Sequence, residues 1–397
     1  MPRRSRDSQF VPACYAITFP GLEEIAAAEI ERELGGEIKR RSPGLVVFRV
    51  PEITEALLRL KTVEDIFLLA WGSDKLTYRA ADLEQMQRWT AFEADWNRLL
   101  QIHHAIRPKP RGKPTYHLVT QMNGHHGYRR VDARKALVRG LAGKLPGGWR
   151  YVEEDAAVEI WLTIDGARAV CGLRLSDRTM RHRTYKTEHQ PASLRPSIAA
   201  AMVQMADVVN RLAILDPMCG AGTILGEALR YARDADLRLR LIVGGDIEMS
   251  AVRSSASNLR RLGNTALSRW DARALPLANQ SFDRIVCNPP FGKQLGDPEE
   301  IGPLYRRLVR QFDRVLRSGG VVVLLASDLA LLKEAAARAR WEKSRQVRVR
   351  VLGQPAFITV WKKPVKAEGD VRSTGSEHER AEPASPPSNQ ESTESPG

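Results

Sequence analysis

The spacing of hydrophobic and polar positions divides the chain into three stretches. From Cys14 to Trp71, short apolar runs are separated by polar turns, and CYAITF, EIKRR, GLVVFRV and DIFLLAW read as strands. Between the first two lies GLEEIAAAEIEREL, with Leu22, Ile25, Ala26 and Ile30 on one helical face and Gly35-Gly36 as its stop. Ser42-Pro43-Gly44 makes the next turn, and EITEALLRL reads as a short helix before the fourth strand. The order βαββαβ is that of a ferredoxin-like unit, a fold that hosts many functions and identifies none.

The second stretch predicts one long helix from Asp82 to about Ile106, a basic loop RPKPRGKP and a strand TYHLVTQ. A basic helix, VDARKALVRGLAGKL, and the strands AAVEIWLTI and ARAVCGLRL follow. SDRTMRHRTYKTEHQ then joins this half to the rest. Its Arg178, Arg181, Arg183 and Lys186 share one sign, so it reads either as a polar linker or as a strip against a nucleic-acid backbone. From about Pro191 the pattern becomes LAIL, LRLIVGG, ALSRW, FDRIVC, GVVVLLAS, QVRVRVL and AFITVWKK. The first five alternate with helices, which implies a parallel sheet covered on both faces. Only Gly353-Gln354-Pro355 separates the last two, so they form a hairpin, unlike a six-stranded nicotinamide-binding sheet.

Charge adds a partner to this picture. The 397 residues carry a formal net charge of +14, and the segment from Lys366 onward holds seven acids against three bases. The body without it stands four charges higher, near +18, which favours a polyanion such as nucleic acid over a compositional bias toward arginine. That last segment is rich in Ser, Pro and Glu and is expected to be disordered. Cys14, Cys171, Cys219 and Cys287 lie far apart without metal spacing, and the basic N-terminus has no apolar run after it. Both features fit reduced thiols in a cytoplasmic protein. His103-His104 and His125-His126 lack a third ligand at a familiar spacing and read as solvated or RNA-facing, so no metal is expected. No heptad or exposed apolar stripe stands out, so a monomer is favoured.

The chemistry gathers at four strand ends. The first strand runs into Asp216-Pro217-Met218-Cys219-Gly220-Ala221-Gly222 and a helix, a turn that lets backbone approach a ligand at a helix N-terminus. The second ends in Gly245-Asp246 and the third in Trp270-Asp271-Ala272. Three acids beyond successive strand ends describe a nucleoside site, without the full dinucleotide glycine motif or a phosphate-binding lysine. The fourth ends in Asn288-Pro289-Pro290-Phe291. The Asn288 side-chain oxygen and the Pro289 carbonyl each accept one N–H bond, enough to hold a planar exocyclic amine near tetrahedral with its lone pair aimed at an activated methyl group. Phe291 would stack on the base, and the prolines stiffen the loop.

LDPMCGAGTILGEA, GGDIEMSAV, WDARALP and IVCNPPFGKQLG, in that order, resemble the S-adenosylmethionine-dependent RNA methyltransferases that carry a THUMP domain, and among them the tRNA guanine-N2 methyltransferases of acceptor-stem position six. The resemblance spans roughly residues 12–363 and includes YAITFPGLEEIAAAEI and YKTEHQPASLRPSIAAAMV. It implies an α/β multidomain protein: a ferredoxin-like domain over 12–75, a THUMP domain over 76–175, a linker over 176–192 and a Rossmann-like class I methyltransferase domain over 193–364. That last domain would have five parallel strands plus a terminal hairpin, with the tail at 365–397. It implies S-adenosyl-L-methionine as cofactor, held by Asp216, Cys219, Gly220, Gly222, Asp246, Ile247, Asp271, Ala272 and Asn288. It implies Asn288, Pro289 and Phe291 at the target amine. Arg129, Arg130, Arg134, Lys135, Arg181, Arg183, Lys186 and Lys293 would contact the tRNA acceptor stem and 3′ end. Where many relatives have Asp two positions after Asp246, this chain has Glu248.

Adenine-N6 methylation of RNA or DNA suits the same four residues, and methylation of a glutamine amide uses a related motif, but neither explains the basic first half as well; related enzymes share the motif while modifying other guanines or ribosomal RNA. A non-catalytic RNA-binding factor is disfavoured by the retained Asn288, Asp246 and Asp271. A nicotinamide oxidoreductase is disfavoured by the incomplete glycine motif and the terminal hairpin.

Overall fold

The structure, a computed structural model, describes residues 11–107, 112, 114–190, 193–291, 298–351 and 353–365. The expected disordered tail and Lys293 lie outside these residues, apart from Val365.

The first half begins with β1 (Cys14–Ile17), α1 (Glu23–Leu34), β2 (Glu37–Ser42), β3 (Leu45–Arg49) and β4 (Asp65–Ser73). Their order in the sheet, β2-β3-β1-β4, follows the antiparallel pairing of β1 with both β3 and β4. Helix α1 buries Ile25, Ala26, Ala27 and Ile30, and Gly35 ends it in a left-handed conformation, as the sequence implies. EITEALLRL forms only a 3₁₀ turn, Glu55–Arg59, started by the Thr54 hydroxyl. The chain beside it is held by Glu29, buried on α1, which accepts Lys61 N, Thr62 N and Thr62 Oγ1.

The long helix expected over 82–106 is two helices, α2 (Ala81–Phe92) and α3 (Trp96–Ile106). Asp95 caps α3 by accepting Arg98 N, and the Trp96 indole takes the carbonyl of Thr90 at 2.8 Å. Both bonds belong to a break, and an apolar period of 3.6 cannot register a break that keeps the same buried side.

β5 (Thr115–Asn123), α4 (Arg130–Leu141), β6 (Arg150–Tyr151), β7 (Val158–Asp165) and β8 (Arg168–Arg174) complete the half. β8 pairs antiparallel with β4, from Phe67 opposite Arg174 to Ser73 opposite Ala169. One eight-stranded sheet results, β2-β3-β1-β4-β8-β7-β5-β6, and the boundary expected near residue 75 falls within it. β6, two residues long, is too short to have a period that sequence can show.

The joining segment corrects the sequence reading. It forms α5 (Arg178–His182) and folds back as a structural tie. Asp65, with no solvent exposure, accepts from Arg174 Nε, Ser176 Oγ and Arg181. Arg183 is buried with Glu227, donating to it at 3.1 Å and to the Lys61 carbonyl at 2.5 Å. Lys186 is buried and donates to the Leu194 carbonyl. Arg183 and Lys186 are therefore buried on internal carboxylate and carbonyl partners, while Arg181, partly exposed, is paired with Asp65. His103 is likewise in the core, where burial depresses its imidazole to about 4.

The second half starts with α6 (Pro196–Met205) and continues β9 (Ala213–Asp216), α7 (Thr223–Asp234), β10 (Leu241–Asp246), α8 (Met249–Leu259), β11 (Ala266–Arg269) and β12 (Phe282–Cys287). Then come α9 (Ile301–Val315), β13 (Leu316–Ala326), α10 (Leu329–Arg338), β14 (Glu342–Val351) and β15 (Gln354–Lys362). The sheet order is β11-β10-β9-β12-β13-β15-β14; the first five strands are parallel, and β15 is antiparallel to both its neighbours. The chain to Pro364 is one compact unit. Leu22 and Ile25 of the first half share an apolar cluster with Ile198, Met202, Val349 and Ala356 of the second. Gly21 (φ +102°) lies so close to the Arg348 carbonyl that a Cβ would come within 1.9 Å of it.

Arg183→Ala, which strips a buried carboxylate of its closest cation, is expected to destabilise the protein by about 3–5 kcal/mol. Exposed Arg129→Ala should change stability by less than about 0.5 kcal/mol. Urea midpoints of both variants check this pair.

Candidate active site

The parallel order places the carboxyl ends of β9, β10 and β12 side by side, with the chain reversing direction across the sheet between β9 and β12. This is where open α/β sheets bind ligands. The turn after β9 is tightly built. Gly220 (φ +52°) and Gly222 (φ +75°) are left-handed, and Gly222 caps α7. A Cβ on Gly222 would meet Ser255 Oγ at 2.9 Å, whereas one on Gly220 would meet nothing within 4 Å. Gly222 is thus required by packing, and Gly220 leaves room for a ligand against its backbone. Ser255 donates to the Gly220 carbonyl at 2.8 Å, and Asn258 donates to the carbonyls of Ala221 and Glu188. The Asn258 oxygen accepts Thr187 N and Glu188 N, so α8 fastens the joining segment to the glycine turn. Behind the turn, the Trp270 indole covers Gly245, where a Cβ would lie 2.2 Å from it, and donates to the Pro217 carbonyl.

The three acids differ in environment. Asp216 is buried, and desolvation pushes its carboxyl well above the usual carboxylate range, with Asp246 adding to the rise. Asp246 accepts Gly220 N at 2.9 Å and Glu248 N at 3.1 Å, which fixes it beside the glycine turn. Asp271 is paired with Arg273, which holds it below the usual range.

A cleft of about 380 Å³ opens over these strand ends, lined by Asp216, Cys219, Gly220, Asp246, Ile247 and Asn288 of the expected set. Gly222, Asp271, Ala272, Pro289 and Phe291 are not among its lining residues. Gln190, Ser193 and Leu194 are, and sequence reasoning assigned them no role. Their segment has no periodicity; the polar cluster just before α6 was the available signal. Cys219 is a neutral wall, its thiol raised by burial and adjacent to Ser255 Oγ at 3.4 Å.

Asn288 follows β12 directly, and its Oδ1 is buried without a hydrogen-bond partner among the described residues. Buried acceptors are rarely left so, and an unmet acceptor on a residue that lines the cleft fits a bound donor. Phe291 is 8% exposed and belongs to the apolar cluster with Leu194, Ile198 and Val286. Open backbone at Gly220, a fixed carboxylate at Asp246 and the unmet acceptor at Asn288 together suit a nucleoside-bearing group with polar ends. Arg129, Arg130 and Lys135 are exposed at α4, and Arg134 bonds the Tyr151 hydroxyl. All four belong to the eight-stranded half.

Residues 183–355 match the family model described as RMKL-like, methyltransferase domain. Over this range the chain is similar to the methyltransferase domain of that family. U6 snRNA (guanine-N(2))-methyltransferase THUMPD2 of Mus musculus is 32% identical over 207 residues, covering 50% of this chain and 37% of that protein. The tRNA (guanine(6)-N2)-methyltransferase of Thermus thermophilus is 29% identical over 330 residues, covering 81% of this chain and 90% of that protein. The crystal structure of TrmN from Thermus thermophilus superimposes with a TM-score of 0.72 at 24% identity, over 88% of this chain and 99% of that one. The chain thus shares the fold of that structure nearly end to end, while it spans little more than a third of the mouse relative.

Asp216 gives a pH test of the site. With a raised folded pKa, the group stabilises the native state fully below the unfolded value of about 4, and this stability is lost as pH rises through the folded value. Asp216→Asn in the absence of cofactor should therefore exceed wild type in stability at pH 7 to 8, with the gain gone below about pH 4. Urea midpoints across pH measure it.

Proposed function

We propose that the protein is an S-adenosylmethionine-dependent tRNA methyltransferase that modifies the exocyclic N2 of a guanosine in the acceptor stem, at position six. The observation that carries this reading is the buried, unpartnered Asn288 Oδ1 beside the Gly220 and Asp246 cleft. When bound, S-adenosylmethionine supplies an electrophilic methyl group on its sulfonium. Asp246 would accept from its ribose hydroxyls, Gly220 would pack against it, and Asp271 would reach the adenine amine by releasing Arg273.

The guanine N2 is a poor nucleophile because its lone pair is delocalised into the ring. Asn288 Oδ1 and the Pro289 carbonyl accept its two N–H bonds, hold the nitrogen near tetrahedral and aim the lone pair. After methyl transfer the nitrogen carries an extra proton, acidic enough to pass to water without a strong base. Oδ1 has no hydrogen-bond partner among the described residues, which supports its role as an acceptor for the substrate.

The similarity to the tRNA (guanine(6)-N2)-methyltransferase of Thermus thermophilus over 90% of that protein's length supports tRNA over U6 snRNA as substrate. The β2-β3-β1-β4 order supports a ferredoxin-like domain, the following strands and helices a THUMP module, and exposed Arg129, Arg130 and Lys135 an RNA contact there. No helix among the described residues is long and apolar enough to cross a membrane.

Labelled S-adenosylmethionine with unmodified tRNA should yield N2-methylguanosine. Asn288→Ala should lower kcat about 10²–10³-fold while leaving thermal stability unchanged or slightly raised, because it removes an unmet buried acceptor. Methylated adenosine, transfer into U6 snRNA but not tRNA, or an unimpaired variant would each overturn the reading.

A further inference from the structure

Helix α9 follows the Asn288 loop and carries Arg306, Arg307, Arg310 and Arg314 with a single acid, Asp313. Arg314 is committed to the carbonyls of Leu275 and Leu277 and to Asn279. Arg306, Arg307 and Arg310 are exposed, and none has a carboxylate within ion-pair distance among the described residues. They line a groove of about 550 Å³ between α9 and α10, opposite Arg338. Three of the acids nearby are engaged elsewhere. Asp313 accepts the Trp341 indole and pairs with Lys363, Glu334 pairs with Arg338, and Asp271 pairs with Arg273.

Such an arrangement is costly unless something negative fills it. Arg306 and Arg310 lie four residues apart and Arg307 and Arg310 three, so the guanidiniums are helical neighbours of like charge and repel one another. A solvated basic face is usually laced with acids and convex. Here three unpaired guanidiniums flank a concave strip whose floor is Val309 and Ala335. The groove also adjoins the site: α9 packs over the turn Ala272–Ala274, and Arg307 acts electrostatically on Asp271.

We propose that the α9–α10 groove binds the phosphodiester backbone of the RNA substrate, on the catalytic half itself and apart from the α4 cations. The inference rests on the RNA reading above. Arg306 and Arg310, about 6 Å apart along the helix axis, offer planar donor forks to phosphate oxygens. An RNA strand whose target base enters at Asn288 would continue along α9 and be gripped on the far side of the reacting nucleotide.

The test uses the full chain with Arg306→Ala/Arg310→Ala/Arg338→Ala, which leaves Arg307 and the cofactor cleft intact. Unmodified tRNA is titrated by fluorescence anisotropy across a salt series, and S-adenosylhomocysteine by calorimetry. The expected result is a log–log salt dependence shallower by about 2–3 and a raised KM for tRNA, with S-adenosylhomocysteine affinity within about twofold of wild type. The corresponding triple Lys variant, which keeps the charge, should retain most of the salt slope. A triple Ala variant that is folded and matches wild type in tRNA affinity and salt slope would overturn the groove and leave the enzymatic reading standing. A wild-type protein that binds no RNA at all would overturn both.

Discussion

The Glu227 carboxylate, fully buried on α7, sets the geometry of both halves. It is tolerable there because Arg183, Arg230 and the Tyr185 hydroxyl converge on it at 2.9–3.2 Å. Arg183 reaches back at the same time to the Lys61 carbonyl, and Lys61 itself pairs with Asp234 at the end of α7. Helix α7 begins at the glycine turn, so the clamp fixes the floor of the cleft relative to the eight-stranded half. Tyr185 adds to this by packing on Gly226, where a Cβ would lie 2.6 Å from its ring. The joining segment is therefore part of the site's framework, and its residues Gln190, Ser193 and Leu194 become walls of the cleft.

Where the sequence was legible, local chemistry decided the structure. The Gly35 stop, the strand-end positions of Asp216, Asp246 and Asn288, and the terminal hairpin all follow from short-range rules of period, turn and cap. Where it was not, the decisive partner was remote. Arg181 meets Asp65 and Arg183 meets Glu227 across the fold, and no count of charges separates such an arginine from one facing solvent. The same blindness hid the unpaired arginines of α9, which read only as a helix between two strands. The break between α2 and α3 escaped because Thr90 and Trp96 exchange a bond that leaves the apolar stripe unchanged. Phe291 shows a subtler limit: an aromatic ring beside a reactive loop suits stacking and suits a core equally.

Basic charge in this protein thus has two distinct physical roles. Part of it is internal, neutralising carboxylates that hold the halves together. Another part, including exposed residues of α4 and α9, lies in the open and is screened by salt, the regime in which polyanions are attracted and released.

The pairing of β4 with β8 has a consequence for biosynthesis. β4 ends at Ser73 and β8 spans Arg168–Arg174, so about a hundred residues must leave the ribosome before the first strand finds its neighbour. At about 5–20 residues per second, an unpaired nine-residue edge with Phe67, Leu68, Leu69 and Trp71 stands open for roughly 5–20 seconds. The nascent chain is therefore a client for whatever in the cell shields sheet edges. Severing the protein between the two strands would make that transient exposure permanent.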